Sequence, residues 1–590
     1  MLAIDPICGM SLNIEETKYK AEVRGKTYYF CSERCMQSFM EGPKIAYFSM
    51  EIGIASNIPT YSGGLGILAG DTVRSCADLR IPIAALTLVS RKGYLKQKIN
   101  EYGEQIDEPD GWDPSKYMRI LPKTVTVKIE GRDVKIGAWI YEQVSMTGGN
   151  VSILLLDTDL EGNSPEDRRI TDRLYGGDQR YRLKQEIVLG IGGLKMLKAL
   201  DFNITKFHMN EGHSSLLILE LLKKNGYDRE STRSQCVFTT HTPVAAAFDI
   251  YSYDMVKDML GKEYEIDRIK EYAGPDGLNM TLLALNLSKY VNGVANTHMA
   301  SSRKLFPGYH IRSITNGIYS GLWTCRHFRE IYDRYIPGWA NEPELLVRAD
   351  GIPNEVIWNA HLKAKRDFFK YIKDNTGTVF DEDALTIGFA RRATAYKRAT
   401  LILSDLDRLR AVNKKGKIQI VFAGKAHPND GVGKSMIKEI HDDIWKLKDD
   451  VKMVYLENYN MDVAAKMVSG VDMWLATPKI PMEASGTSGM KAAHNGVINY
   501  SVLDGWWVEG CIEGVTGWSI GPSPEVYMSE EERREQEVRD IYNKLEYIII
   551  PKYYMDRDGW IEMMKNSIAK ISYYFNTNRM MRRYATEAYL

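Results

Sequence analysis

The run Met473-Trp474-Leu475-Ala476, followed by Glu483-Ala484-Ser485-Gly486-Thr487-Ser488-Gly489-Met490-Lys491 and then Ala492-Ala493-His494-Asn495-Gly496, reads as a strand, a glycine-rich turn and a helix. A short continuous apolar run bounded by turn formers suits a strand buried on both faces. Small residues let the backbone of the turn approach a ligand closely, and free amides at a helix start suit an anion. Lys491 lies just past the turn, where a buried amine can lose its proton and form an imine. The segment is a candidate anion site with a special lysine. The same pattern also suits an ordinary strand–helix turn that carries a surface lysine.

Similar alternation recurs along most of the chain. Apolar runs at Ile45–Phe48, Pro82–Val89, Val151–Leu156, Cys236–Thr240, Leu385–Phe389, Ile418–Phe422 and Val451–Leu456 are separated by helical patterns such as Leu183–Leu200, Ser214–Lys224 and Ala399–Val412. Buried strands alternating with helices imply parallel sheets covered on both faces. Lys123–Tyr141 alternates and is charged, which predicts an antiparallel excursion. One set of strands lies before Tyr319 and another after Ala384, so the expected class is α/β, with two doubly wound, Rossmann-like domains facing a cleft. Ligands then bind where the carboxyl ends of the strands face each other. The stretch from Arg533 to Leu590 reads as mostly helical.

Composition bounds the function. The 590 residues carry 77 Lys+Arg against 77 Asp+Glu, a formal net charge of zero, so no global field attracts nucleic acid or an acidic membrane. With 44% hydrophobic and 26% charged residues the chain is neither disordered nor fibrous. No apolar run approaches the roughly 18 residues of a membrane span. Met1–Pro6 lacks the basic and apolar regions of a signal peptide. Seven scattered cysteines are too few for a disulfide scaffold, which predicts reduced thiols and a cytoplasmic location.

Three of those cysteines, Cys8, Cys31 and Cys35, lie in a distinct leading segment. Lys18–Val23 and Lys26–Phe30 read as a hairpin around Arg24-Gly25, and a short helix starts at Ser32-Glu33-Arg34 with Phe39 and Met40 on its apolar side. Glu41-Gly42-Pro43 ends it. The expected division is a small α+β module at 1–42, a first large domain at 43–325 and a second at 326–590.

Several further segments look like sites. Tyr61-Ser62-Gly63-Gly64-Leu65-Gly66 precedes a helix read as Leu68–Leu79, the placement an anion-binding loop requires. Arg391, Arg392, Lys397 and Arg398 follow a buried strand and are expected to open a helix into the cleft; a solvated charged face is the ordinary alternative.

Glu483–Lys491 resembles the pyridoxal-phosphate segment of the alpha-glucan phosphorylases, the family of glycogen, starch and maltodextrin phosphorylases with the GT-B architecture. So do Tyr47-Phe48-Ser49-Met50-Glu51, the Tyr61–Asp71 glycine loop, Arg182–Glu186, His208–His213, Thr239–Pro243, Val291–Val294, Thr315–Ile318, Phe389–Arg398, Phe422–Pro428 and Glu457–Tyr459. The resemblance covers residues 44 to 590 and is closest to the short bacterial and archaeal type. It implies that Lys491 holds pyridoxal 5′-phosphate as a Schiff base, with Tyr459, Thr487, Ser488, Arg391 and Gly64 contacting the cofactor. It implies that Glu51, Gly63, Asn316, Glu483, Ser485 and Gly486 bind substrate. Arg392 and Lys397 match the pair that grips the substrate and cofactor phosphates, and His241 matches an active-site histidine, so that with Lys491 these form the catalytic set. The implied reaction is retaining phosphorolysis of alpha-1,4-glucan to glucose 1-phosphate, with glucan and phosphate as partners, no nucleic acid and no membrane; a homo-oligomer is left open. Starch and glycogen synthases share a similar Glu-x-x-Gly turn, so a nucleotide-sugar glucosyltransferase without the cofactor is the alternative.

The leading module resembles the YHS family through Cys8-Gly9-Met10, Tyr28-Tyr29-Phe30-Cys31-Ser32 and Cys35. Cys8, Cys31 and Cys35 could bind a soft metal such as zinc or copper; three small buried hydrophobes are the alternative. A metal-binding or interaction protein led by this module, with a decayed enzyme body, is the remaining reading.

Overall fold

The apolar runs form the inner strands of two sheets, because a strand with helices over both faces must be apolar on both. The structure is a computed structural model describing residues 2–5, 10–23, 26–244 and 248–590. The first sheet has ten strands, and its parallel part runs in spatial order Asn150–Asp157, Ile83–Leu88, Ile45–Ser49, Lys206–Asn210, Cys236–Thr239, Tyr290–Gly293 and Arg312–Ser313. The antiparallel excursion is there too: Val125–Ile129 pairs with Arg132–Val144, which pairs with Asn150–Asp157.

The second sheet has six strands, all parallel, in spatial order Lys452–Leu456, Ile418–Ala423, Leu385–Ala390, Met473–Ala476, Ile498–Val502 and Gly517–Ile520. Numbered along the chain this is 3-2-1-4-5-6, the doubly wound order. The order reverses between Leu385–Ala390 and Met473–Ala476. In the first sheet it reverses between Ile45–Ser49 and Lys206–Asn210. Crevices open beyond the carboxyl ends of strands at such reversals. The chain there continues into Glu51 and Glu211 on one sheet, and into Arg391-Arg392 and the Thr477–Glu483 segment on the other.

The chain's last helix, Thr577–Tyr584, crosses back and packs on the first sheet, not the second. Asn292 Nδ2 donates to Tyr584 Oη at 2.8 Å, and His208 Nδ1 lies 2.7 Å from Tyr589 Oη. Among the described residues no helix is long and apolar enough to cross a membrane.

Four local readings are corrected. The helix expected over Ala399–Val412 begins at Leu406, because the Asp405 carboxylate accepts from Arg408 N at 2.8 Å and caps it there. The cationic run therefore leaves its strand through a short 3-10 turn, Ala395–Lys397, closed by Arg398 at φ +50°, and does not open a helix. The helix after the first glycine loop begins at Gly64, not Leu68, so the glycines form its first turn. In the module the strands Tyr19–Val23 and Lys26–Phe30 pair as expected, with Arg24-Gly25 outside the described residues. Ser32 caps the helix Glu33–Glu41. Phe39 packs on Tyr28 and Phe30, with ring centroids 4.5 and 5.1 Å apart, while Met40 is exposed. Successive helical residues point about 100° apart, and with Phe39 turned onto the hairpin Met40 falls outside the narrow face that this short helix buries.

Candidate active site

A cavity of about 650 Å³ lies between the two strand-order reversals, within the size range of small-molecule sites. Its first wall is built around two buried carboxylates. Glu51 accepts from Ser62 N at 2.6 Å, Gly63 N at 3.2 Å and Tyr175 Oη at 2.9 Å. Burial pushes its carboxyl up, and these donors pull it part of the way back. Two amides of the glycine loop are thus committed to the chain's own carboxylate. Gly66 must be glycine, since a Cβ there would lie 2.5 Å from Glu51 Oε2.

Glu211 stands at φ +71°, a backbone conformation unusual for a residue with a side chain. Its carboxylate accepts from His241 N at 2.7 Å, Gly212 N at 2.9 Å and Thr242 Oγ1 at 2.9 Å, which pins the turn that carries His241. His241 Nε2 donates to Asn210 Oδ1 at 2.6 Å. Burial lowers this imidazole to about 3, so the ring is neutral at pH 7.

The second wall is cationic. Arg391 Nη2 lies 2.5 Å from Glu483 Oε2, and Lys397 Nζ pairs with the same oxygen. Burial alone would raise the Glu483 carboxyl, but the two cations outweigh it and hold it at about 2. Asp504 accepts from Glu483 N at 2.9 Å and is pushed by burial to about 7. Arg392 faces the solvent of the cavity and makes no salt bridge among the described residues. Lys491 sits in the helix Ser488–Ala493 with Nζ 3.8 Å from the centre of the Trp323 ring. Burial lowers this amine to about 8, with Asp71 opposing.

Every residue singled out for catalysis, cofactor or substrate borders this one cavity: His241, Arg392, Lys397 and Lys491; Tyr459, Thr487, Ser488, Arg391 and Gly64; Glu51, Gly63, Asn316, Glu483, Ser485 and Gly486. Tyr94, Tyr175, Arg182, His213, Trp323, Lys425 and His427 border it as well. Arg182, His213, Lys425 and His427 lie inside motifs already quoted; Tyr94, Tyr175 and Trp323 carry no local signal. In the module, ligand atoms of Asp5, Cys31 and Cys35 lie within 4.8 Å of one another, and Cys31 N donates to Asp5 Oδ2 at 2.7 Å. Cys8 lies outside the described residues. Asp5 was not among the expected ligands, because a lone Asp before a Pro reads as a turn former.

Over 92% of its length the chain is 39% identical to the maltodextrin phosphorylase of Thermococcus litoralis, covering 70% of that protein. The chain belongs to the carbohydrate phosphorylase family. The family model described as carbohydrate phosphorylase matches residues 268–516, and the YHS domain model matches residues 3–45. Identity is 35% to the glycogen phosphorylase of Aquifex aeolicus, covering 86% of it, and 34% to that of Mycobacterium tuberculosis, covering 70%; both matches span 92% of this chain.

The phosphorylase family uses pyridoxal phosphate, and the residues present fit that group. An aldehyde-bearing phosphate ester needs an amine able to lose its proton and a set of polar donors beside it. Lys491 is such an amine. Among the described residues Arg391 Nη1 is buried without a hydrogen-bond partner, a donor that an incoming phosphate would satisfy. Asn316 Oδ1 is likewise buried and has no hydrogen-bond partner among the described residues, an acceptor suited to a sugar hydroxyl.

Proposed function

We propose that this chain is an alpha-1,4-glucan phosphorylase dependent on pyridoxal 5′-phosphate. A glucan of n units and inorganic phosphate give a glucan of n−1 units and glucose 1-phosphate, with the anomeric configuration retained. The observation that carries this reading is the meeting, in one cavity, of a lysine with a lowered pKa, three cations and an ionised carboxylate, delivered by the loops after two neighbouring strands of the second sheet and faced by Glu51, Glu211 and His241 from the first.

Lys491 holds the cofactor, and Tyr459, Thr487, Ser488, Arg391 and Gly64 border it. When bound, the cofactor supplies a phosphate group that exchanges a proton with the substrate phosphate. Arg392 and Lys397 grip the substrate phosphate and the cofactor phosphate between them, Arg392 through its planar fork and Lys397 as a point charge. Because Glu483 already pairs with Arg391 and Lys397, arriving phosphate shares or displaces that carboxylate. Glycosidic cleavage passes through an oxocarbenium-like state, and Glu483, ionised at neutral pH, puts negative charge on the wall where that cation forms. Glu51, Gly63, Asn316, Ser485, Gly486 and the neutral His241 border the glucosyl unit.

The test is glucose 1-phosphate formation from maltodextrin and phosphate, with and without added pyridoxal phosphate. Glucosyl transfer from a nucleotide sugar, with no phosphorolysis and no cofactor requirement, would overturn the reading. Alpha-glucan and phosphate are the partners, and the free thiols of Cys76 and Cys236 suit a cytoplasmic enzyme.

The same reading divides the chain at 1–42, 43–325 and 326–590, with the last helix returning to the first unit, and places a zinc or copper site at Cys31 and Cys35, with Cys8 and Asp5 as further ligands. A chain starting at Lys44 should keep phosphorolysis within a few-fold and lose thiolate-bound metal. Lys44 itself must stay, since its N donates to Pro82 O at 2.8 Å and its O accepts from Thr205 N at 2.8 Å. A folded truncation that binds the cofactor but has no activity would refute the independence of the module.

A further inference from the structure

A hairpin of the first unit, Lys96–Ile99 paired with Gln105–Glu108, reaches across to the second sheet. Two amide side chains on it, Gln97 and Gln105, are buried. Gln97 Oε1 accepts from Asn458 N at 2.9 Å, and Gln97 N donates to Asn458 Oδ1 at 3.2 Å. Gln97 Nε2 donates to Gly424 O and to Gln105 Oε1, both at 2.8 Å. Gln105 in turn accepts from Ala426 N and donates to Ala426 O, both at 2.9 Å. Its second N–H goes to Asp107 Oδ1 at 2.6 Å. Each amide therefore uses its oxygen and both of its N–H groups, and Gln105 uses both lone pairs of its oxygen as well.

The partners are not scattered. Gly424 and Ala426 follow the strand Ile418–Ala423, and Asn458 follows the strand Lys452–Leu456. These two loops leave neighbouring strands of the second sheet and end in Lys425, His427 and Tyr459, which border the cavity. Asn458 sits at φ +52°, a conformation that needs outside support, and Gln97 holds it from both of its polar ends. Lys425 Nζ donates to Leu95 O at 2.8 Å, and Ile99 N donates to Glu457 Oε1 at 3.1 Å, so the same hairpin ties down the residues on either side.

We infer that Gln97 and Gln105 are positioning residues: from the first unit they set the two second-sheet loops that present Lys425 and Tyr459 to the cofactor end of the cavity. Cofactor retention is thereby coupled to the joining of the two sheets. The structural part of this inference stands on the hydrogen bonds alone, and the cofactor part rests on the phosphorylase reading.

The test uses the full chain with Gln97→Ala and with Gln97→Glu, which keeps the acceptor for Asn458 N but removes both donors. Hydrogen–deuterium exchange of the cofactor-free proteins should show faster exchange confined to segments 424–427 and 457–459, with the Gly64–Asp78 helix unchanged. Pyridoxal phosphate should bind each variant at least about ten-fold more weakly, Gln97→Glu having lost two buried side-chain hydrogen bonds and Gln97→Ala three. The phosphate KM should rise while the maltodextrin KM holds. Unchanged exchange in both loops, or loosening spread evenly over the molecule, would overturn the inference. If Gln97→Ala does not fold, Gln97→Glu alone decides between these outcomes. A wild-type protein that binds no pyridoxal phosphate would count against the function proposed above, and the exchange result would still decide the positioning role.

Discussion

Lys491 and Lys397 stand on the same wall of the cavity and are almost equally buried, 7% and 8% exposed, yet their surroundings are opposite. Lys397 is ion-paired with Glu483, and the strength of that pairing shows in the carboxyl, held at about 2 against the lift of burial. Lys491 rests on the face of Trp323 with Asp71 as its counter-charge, and burial takes it down to about 8. Burial by itself favours the neutral amine; a carboxylate in contact reverses that. One lysine lies on an aromatic face with its amine lowered and the other is locked in an ion pair, and sequence position distinguishes neither.

The sharpest way to break this contrast is to exchange the fates of the two lysines. Lys491→Ala should abolish borohydride trapping of pyridoxal phosphate on the chain and take phosphorolysis to background. Lys397→Ala should still trap the cofactor, on a peptide containing Lys491, while turnover falls. A label found on Lys397 would sink the assignment of roles.

Glu483→Gln should cost on the order of 3 kcal/mol of stability at pH 7, because it leaves two buried cations without their carboxylate. The sign follows from the depressed pKa. The carboxylate's contribution is fully present above its ordinary value near 4.5 and is lost as pH falls from there towards 2. Urea unfolding of variant and wild type should therefore differ most at neutral pH and converge near pH 2. A difference that persists in acid would show that shape rather than charge was lost.

Arg392 sharpens the contrast as a cation with no salt bridge among the described residues. Arg392→Ala should lower kcat/KM for phosphate about 10–150-fold, from the roughly 1.5–3 kcal/mol of a charge-assisted contact. An equal loss for glucan with none for phosphate would mark it as a surface cation.

The smallest effect concerns the proton on Lys491. The rate at which the cofactor-free protein captures pyridoxal phosphate should rise with pH through a midpoint near 8, not near 10.5. Asp71→Asn removes the charge that opposes burial, so the midpoint should fall further, by less than about one unit. A midpoint that rises in Asp71→Asn would contradict the electrostatic account.

Much of this is legible in the sequence, but unevenly. Four of the parallel strands in each sheet are legible because strands covered on both faces are continuous apolar runs; Lys206–Asn210, Tyr290–Gly293, Ile498–Val502 and Gly517–Ile520 are not, since polar residues and glycines interrupt them. The start of the helix at Leu406 was misread because Leu401–Leu403, a short 3-10 turn, continues the helical spacing, and only the Asp405 cap separates the two. In the site, Glu483 to Lys491 could be found because its glycines and lysine lie within one turn of chain. Tyr175 and Trp323 could not, since each reaches the cavity from a segment whose own residues say nothing about where it ends. Asp5 was invisible for the same reason: its neighbours Cys31 and Cys35 are neighbours only in space.

The sequence by itself determined the α/β class, the strands that are continuous apolar runs, and which short segments carry small residues and cations, because periodicity and turn chemistry act over a few residues. Tertiary structure decided which buried lysine stays paired, which carboxylates are pushed up and which is held down, and that the last helix returns to the first sheet. Those outcomes depend on desolvation and on charges supplied by distant parts of the chain: Asp71 and Trp323 beside Lys491, Glu483 beside Lys397, and Gln97 across the joint from Asn458.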